Sequence, residues 1–467
     1  MMFSADNQRR LRVPRHSSEN IISRIGKAGD PGRTHHLLAQ LMFLLVFTSG
    51  SVLAAEDLSG PRAVPTPEQV AWHDTEIGMF IHFAPNTWQD SEYDRRDTPL
   101  DKINPERLDT DQWVRVAESM GAKYIVFVAK HVGGFCMWQT DTTDYSIKNT
   151  AWRGGKGDVL ADLSASCKAR GMKLGVYLSP RDDTFGAATS GKCVTPELQA
   201  KYDALYRQQL TEVLSRYGEL FEVWFDGSNV IEVGDILKTY ASKAMIFQGK
   251  YATIRWVGNE DGLAPYPAWN CTTKEAAQRG ATAADSTPFG DVWLPSECDV
   301  SLRRDWFWNS KNEKTIKTLD QLMDIYYRSV GRGAVLLLNV TPDPTGLIPE
   351  ADVKRAAEFG AEVQKRFESA LASTAGEGAT LELGLTALRP VDHVILMEDI
   401  TQGERVLDYV IETQVDGAWK EIVTGSAIGH KKIDRFSPVE ADRWRFRCLK
   451  SNGPVSISRF AVYSTGS

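Results

Sequence analysis

The chain lacks the common sequence features of metal, nucleotide and nucleic-acid sites. Its six cysteines form no CxxC pair, which argues against a structural zinc site and gives no disulfide framework. The histidines show neither HxH nor HExxH spacing, and no glycine-rich phosphate loop follows the first predicted strand. The formal net charge of -7 gives no general affinity for nucleic acid. We therefore expect no metal or cofactor requirement and no nucleic-acid partner.

The first 55 residues resemble a targeting segment. Residues 1–36 are polar and basic, residues 37–47 (LLAQLMFLLVF) are mostly apolar, and small residues follow at 48–51 and 54–55. This order is typical of a secretory signal peptide, and the apolar run is too short for a membrane span. We predict a basic leader and signal peptide over 1–55, with the signal at about 37–55. The mature protein is then expected to be periplasmic or secreted, with no membrane span.

After Glu56, strand-like and helix-like stretches alternate. Apolar runs such as 122–130 (AKYIVFVAK) and 334–340 (AVLLLNV) read as buried strands, and amphipathic stretches such as 196–217 read as helices. About eight such strands predict a (β/α)8-type barrel over 56–372, with a doubly wound open sheet as the alternative. Short segments in which apolar and polar residues alternate, separated by turn residues, then predict an antiparallel β-sandwich over 373–467.

Helix starts are also predicted from capping residues. Thr195 is the expected N-cap of the helix at 196–217, since Pro196 suits the first helical position. Thr110 or Asp111 is the expected N-cap of an earlier amphipathic helix, at 111–120. The segment 158–170 reads as a helix that Gly171 ends.

The most informative strand is residues 220–227 (LFEVWFDG), an apolar run closed by Asp226 and a glycine. In a parallel barrel the carboxyl ends of the strands carry the chemistry, so Asp226 is a candidate catalytic residue. The alternative is that Asp226 only forms an Asp-Gly turn.

Other polar residues fall at the ends of other predicted strands. His82 and His131 follow the first two, Glu260 follows the sixth, and Glu297 lies at the seventh. Hydrolysis of a glycosidic bond uses two carboxyl groups across the sugar, together with hydroxyl-binding groups and aromatic surfaces. Each of these residues, taken singly, has the alternative of a structural role in the core or in a turn.

The sequence resembles the family 29 glycoside hydrolases, the retaining α-L-fucosidases, from about Val70 to the C-terminus. The motifs that carry the resemblance are 78–83 (GMFIHF), 130–135 (KHVGGF), 175–179 (GVYLS), 224–227 (WFDG), 255–260 (RWVGNE), 295–301 (PSECDVS), 336–340 (LLLNV) and 429–431 (GHK). No single motif is specific, but together they are.

The resemblance implies roles for individual residues. Asp226 is the expected nucleophile, and Glu297 is the preferred acid/base, with Glu260 as the runner-up. The residues expected to bind or surround the sugar are His82, Trp88, His131, Trp138, Tyr177, Arg255 and Trp306. The implied substrate is a fucosylated oligosaccharide or polysaccharide, and the oligomeric state stays open.

Two positions depart from the family pattern. The second-strand motif often reads His-His-Asp-Gly-Phe, whereas Val132 and Gly133 stand in the middle here. Ala268, before Trp269, stands where one subgroup has a glutamate. Two alternatives therefore accompany the fucosidase hypothesis: a glycosidase of the same mechanism for a related sugar such as an α-L-galactoside, and a catalytically impaired carbohydrate-binding protein.

Overall fold

The computed structural model describes residues 63–466, so the predicted leader and signal peptide at 1–55 lies outside the described residues. Within the described part, no helix is long and apolar enough to cross a membrane. The helices are Pro67–His73, Asn86–Gln89, Thr110–Ser119, Val159–Arg170, Pro196–Arg216, Gly234–Tyr240, Lys274–Arg279, Leu319–Arg328 and Glu350–Phe367.

The helix boundaries follow from capping chemistry. The Asp158 side chain accepts a hydrogen bond from the Ala161 amide, and the helix ends at Gly171, whose φ of 68° suits a residue without a Cβ. Thr195 caps the longest helix as predicted, by accepting from the Leu198 amide. For the helix Thr110–Ser119 the predicted N-cap was wrong by one or two residues, because Asp109 is the N-cap and accepts from the Gln112 amide.

Eight parallel strands form a nearly closed barrel, which confirms the predicted fold class. Their order around the sheet is β5-β4-β3-β2-β1-β8-β7-β6, and a bridge between Phe247 and Ile254 links the two edges. The strands are β1 (Ile77–Ile81), β2 (Tyr124–Lys130), β3 (Lys173–Leu178), β4 (Glu222–Trp224), β5 (Met245–Phe247), β6 (Arg255–Trp256), β7 (Ser296–Ser301) and β8 (Val335–Asn339).

Alternate residues of each strand face opposite sides. Met79 and Ile81 pack outward under the helices, whereas Phe80 joins the core inside the barrel. Gly78 faces inward at a tight point, since a Cβ there would lie 2.3 Å from the Tyr124 ring. This alternation decides which side chains reach the interior and the carboxyl-end mouth.

The C-terminal module is a six-stranded antiparallel sheet around its own apolar core. Its strands are β9 (Ala372–Glu377), β10 (Thr380–Glu398), β11 (Val406–Val415), β12 (Ala418–Gly425), β13 (Lys432–Ser451) and β14 (Ser456–Tyr463), in the order β9-β14-β10-β13-β11-β12. Two of these strands are long, because β10 spans 19 residues and β13 spans 20. Register shifts bend both long strands.

The module packs against the barrel through apolar residues such as Ile395 and Ile433, which join the core under the helices, and through polar contacts. The Nε2 of His430 lies 2.9 Å from an Asp74 carboxylate oxygen, and Lys431 pairs with Glu76. The Tyr327 hydroxyl lies 3.0 Å from His393 Nε2. These contacts lie at the amino end of β1 and on the outer helices, away from the carboxyl ends of the strands.

Candidate active site

A cavity of about 250 Å³ opens at the carboxyl ends of the barrel strands. It lies where a parallel barrel places its chemistry. The side chains that line it come from at least five strand ends and the loops that follow. They are Phe80, His82, Glu92, Tyr93, His131, Val132, Tyr177, Arg181, Thr189, Trp224, Asp226, Glu260, Asp299 and Trp306.

Asp226 lies on the cavity wall two residues beyond the end of β4, which is shorter than the predicted strand. Its side chain is open to the cavity, but protein surrounds it on the other sides, and this desolvation raises its pKa. The Tyr177 hydroxyl donates to Oδ2 at 2.9 Å. That bond, the Gly227 amide and the positive charge of Arg181 oppose the rise in pKa and favour the carboxylate. The bond from Tyr177 holds the Asp226 carboxyl group in a fixed orientation.

Two histidines, the buried His82 and the half-buried His131, form the adjacent wall. His82 Nδ1 lies 2.9 Å from the Asn339 side-chain oxygen, while the Asn339 amide nitrogen donates to Ser301 Oγ and the Trp306 carbonyl. Burial and His131 lower the pKa of His82 well below its ordinary value, so the ring is neutral. Its Nδ1 then carries the proton, which leaves Nε2 as a hydrogen-bond acceptor.

His131 is also neutral, because burial and Arg181 lower its pKa to about 3. Its ring stacks on Tyr177 with centroids 5.8 Å apart. Its Nδ1 is buried and has no hydrogen-bond partner within the protein. A ligand hydroxyl is a suitable partner for such a nitrogen.

Three more carboxyl groups line the cavity. Glu260 is exposed, and its Oε2 accepts from the Trp306 indole at 3.2 Å. Glu92 accepts from the Trp306 backbone amide at 3.0 Å, and burial raises its pKa to about 7. Asp299 accepts from the Trp256 indole at 2.7 Å, and burial with the nearby charge of Glu297 raises its pKa well above the ordinary value.

The structure brings together six of the ten residues expected from sequence: Asp226, Glu260, His82, His131, Tyr177 and Trp306. The other four lie outside the cavity lining. Trp88 packs on Phe83, and the buried Trp138 indole donates to Glu212 at 3.0 Å. Arg255 is buried and donates to Ser296 Oγ and the Trp269 carbonyl.

Glu297 is the fourth residue outside the lining. It is fully buried inside the barrel, where its carboxyl oxygens accept from the Tyr124 hydroxyl at 2.5 Å and the Trp224 indole at 2.8 Å. Ala268 is half-buried and contributes to a small apolar cluster beside the barrel, not to the cavity.

Sequence reasoning missed Glu92, Tyr93 and Arg181, and it did not select Asp299. The first two lie in the loop after β1, and Arg181 lies in the loop after β3. The sequence feature that could have identified them is that each follows a strand that already carries or precedes a predicted site residue. Asp299 has a stronger signal, because it shares an inward face of β7 with Glu297.

The unusual residues after His131 fit their surroundings. Val132 lines the cavity, and a Cβ on Gly133 would lie 2.6 Å from the Asp94 side chain. Asp94 belongs to the loop that carries Glu92, and it accepts from Gln89 Nε2 and the Tyr145 hydroxyl. An aspartate at position 133 would therefore displace this loop.

A parallel barrel with several carboxyl groups, neutral histidines and aromatic rings around one small cavity at its carboxyl end defines the protein as a glycoside hydrolase. Within the described residues, no group of three His, Cys, Asp or Glu side chains could hold a metal ion.

Comparison with known proteins identifies the family. The family model described as Alpha-L-fucosidase matches residues 86–366. Alpha-L-fucosidase 1 of Arabidopsis thaliana is 34% identical over 451 residues, which covers 86% of this chain and 87% of the plant protein. The chain therefore belongs to the α-L-fucosidase family, glycoside hydrolase family 29.

Solved structures agree with this assignment. A glycoside hydrolase 29 family member from an unknown rumen bacterium is 32% identical with a TM-score of 0.78, over 86% of this chain and 78% of that one. A Ruminococcus gnavus GH29 fucosidase in complex with fucose is 27% identical with a TM-score of 0.76, over 88% of this chain and 98% of that one.

Proposed function

We propose that the protein is an exo-acting retaining α-L-fucosidase that removes terminal α-L-fucosyl residues from glycans by double displacement. The observation that carries the proposal is that Asp226 and Glu260 line the same small cavity. Retaining glycosidases use two carboxyl groups in this way, one as nucleophile and one as acid and then base. The fucose complex of the Ruminococcus gnavus relative supports fucose as the sugar.

Asp226 is the proposed nucleophile. The Tyr177 hydroxyl fixes one oxygen of its carboxylate and favours the charged form, which is the form that attacks the anomeric carbon. Attack breaks the glycosidic bond and forms a fucosyl ester on Asp226. Water then cleaves the ester and restores the carboxylate.

Glu260 is the proposed acid/base. It is exposed at the cavity, where a leaving group can depart and water can enter. The acid donates its proton to the leaving oxygen and later removes one from water. Glu297, preferred on sequence, is fully buried and held by Tyr124 and Trp224, so it has no path to the leaving oxygen.

The neutral histidines and Glu92 are the proposed hydroxyl-binding groups. The free Nε2 of His82 accepts from a sugar hydroxyl, and Nδ1 of His131 is left without a protein partner. The cavity volume of about 250 Å³ lies below the roughly 300–1,000 Å³ that is usual for drug-sized ligands. A cavity of this size suits one sugar ring, which supports exo action.

The test is hydrolysis of p-nitrophenyl α-L-fucoside by the wild type and by Asp226→Asn. We expect turnover by the wild type and a loss of at least about 10³-fold in the variant. Asp141→Asn is the matched control, because Asp141 is an exposed surface carboxylate paired with Lys148. If the wild type hydrolysed the corresponding α-L-galactoside faster than the fucoside, the substrate sugar would be L-galactose and not fucose. Sugar binding without turnover by the wild type would favour a carbohydrate-binding protein.

A further inference from the structure

Beneath the cavity, the barrel interior contains a second pair of carboxyl groups, Glu222 on β4 and Glu297 on β7. Both are completely buried. The Trp224 indole N–H lies 2.8 Å from one oxygen of each carboxyl group, so it bridges the pair. The Trp72 indole donates to the other oxygen of Glu222 at 2.9 Å, and the Tyr124 hydroxyl donates to the other oxygen of Glu297 at 2.5 Å.

The pair is surrounded by groups that do not neutralise it. No Lys or Arg within residues 63–466 forms an ion pair with either glutamate, and the neighbouring titratable groups are Tyr124 and Asp299. Two adjacent charged carboxylates in a buried site repel strongly, so at least one of them keeps a proton. Burial raises the pKa of Glu222 to about 7, and burial together with the charge of Glu222 raises the pKa of Glu297 well above its ordinary value.

The indole that bridges the pair is also part of the active site. Trp224 lines the cavity and stands two residues before Asp226. Its ring stacks on Phe247 with a centroid distance of 3.4 Å, and it stacks on Tyr177 at 6.1 Å. Tyr177 is the residue that holds the Asp226 carboxylate. A change in the Trp224 position therefore reaches both the cavity wall and the nucleophile.

We propose that Glu222 and Glu297 are positioning residues that share one proton and hold the Trp224 indole as a wall of the sugar site. Glu297 thereby serves the reaction from below the cavity and not as its acid/base. The proposal rests on the function proposed above. Direct bonds to a carboxyl pair fix the indole more firmly than packing alone.

The kinetic test compares Glu297→Gln with Glu297→Ala on a p-nitrophenyl and on a natural disaccharide fucoside. Glutamine keeps the shape, accepts one hydrogen bond and donates another, so we expect kcat/KM within about threefold of the wild type on both substrates. Alanine removes one of the two acceptors of the Trp224 N–H and leaves only Glu222, so we expect KM to rise by about tenfold while kcat falls less. Trp224→Phe keeps a ring but removes the N–H, and it should raise KM similarly.

Three outcomes would overturn the proposal. An equal loss in the glutamine and alanine variants, with azide restoring turnover on the p-nitrophenyl substrate, would make Glu297 the acid/base. An unchanged KM in Glu297→Ala would show that Glu297 does not position the Trp224 indole. If the alanine variant does not fold, an unchanged KM in Trp224→Phe would exclude the proposal equally.

A spectroscopic test does not depend on the substrate. Infrared difference spectra at pH 7 between the wild type and Glu222→Gln/Glu297→Gln should show the loss of one protonated carboxyl and one carboxylate. Loss of two carboxylate signals, or of two protonated ones, would contradict the shared proton. Because this readout survives even if the wild type hydrolyses no fucoside, failure of the proposed function and failure of this inference remain distinguishable.

Discussion

At the scale of single residues, the Tyr177 hydroxyl has the clearest effect on the chemistry. It donates to the Asp226 carboxylate and lowers a pKa that burial raises. In Tyr177→Phe this bond is lost, so the pKa of Asp226 should rise. The acidic limb of the kcat/KM profile should then move to higher pH by about one unit, since a hydrogen bond to a charged group is worth about 1.5 kcal/mol or more. If the acidic limb does not move, then it does not report the titration of Asp226.

Glu260 is tested through the leaving group. In Glu260→Gln, turnover of a natural fucoside should fall about 10²–10⁴-fold, because its leaving oxygen needs a proton. Turnover of p-nitrophenyl fucoside should fall much less, since that leaving group needs little protonation. Glu313→Gln, on the surface outside the cavity lining, is the control. An equal loss on both substrates would indicate a role other than proton transfer.

Single residues also show where sequence reasoning reached its limit. Glu297 and Asp299 both point into the barrel, but they stand two residues apart, or about 6.6 Å along the strand. That distance separates the buried interior from the cavity. The sequence gives the face of a strand through its period of two, but it does not give the depth at which the cavity ends. Arg255 and Trp138 lie outside the cavity for a different reason, because their side chains bond to partners that do not line it.

At the scale of elements, capping explains how the long helix beside the site begins. Thr195 accepts from the Leu198 amide at 3.2 Å at an exposed position. Thr195→Ala should lower the free energy of unfolding by about 1 kcal/mol, whereas Thr195→Ser should keep most of it. Chemical denaturation measures both. Equal stability of the two variants would show that the cap contributes nothing.

Elements with strong periodicity were predictable from sequence. The barrel strands β2 and β8 and the helix Pro196–Arg216 were found within a few residues, because long apolar or amphipathic runs and good caps mark them. The loop that carries Glu92 and Tyr93 was not. Its conformation depends on distant contacts, such as Tyr145 with Asp94 and Asn309 with Asp90. The length of β13 depends on pairing with two neighbours across register shifts.

At the scale of the whole molecule, buried carboxyl groups link stability to pH. Glu398 accepts backbone hydrogen bonds within the C-terminal module, and Glu404 accepts from Asn270 of the barrel. Burial raises their pKa values to about 7 and about 8. The folded state therefore binds more protons than the unfolded state between the ordinary glutamate pKa and these values. The contribution of these two groups to the free energy of unfolding is fully present below the ordinary glutamate pKa. It is lost as the pH rises through about 7 to 8.

The buried histidines act in the opposite direction, but only below about pH 6.5, where the unfolded histidines gain protons. Between pH 6.5 and 8.5 the carboxyl groups decide the slope, so the melting temperature should fall across this range. Glu404→Gln should make the fall shallower. A melting temperature that rises or stays level across this range in the wild type would contradict the assignment.

The central claim is that Asp226 forms a covalent bond with fucose. The most direct measurement is to incubate the protein with a 2-deoxy-2-fluoro-fucosyl fluoride, which forms the ester quickly and releases it slowly, and to map the adduct by peptide mass spectrometry. We predict one added fluorofucosyl group, on the peptide that contains Asp226, and none in Asp226→Asn. An adduct on another carboxylate, or turnover without any adduct and with inversion at the anomeric carbon, would contradict the account.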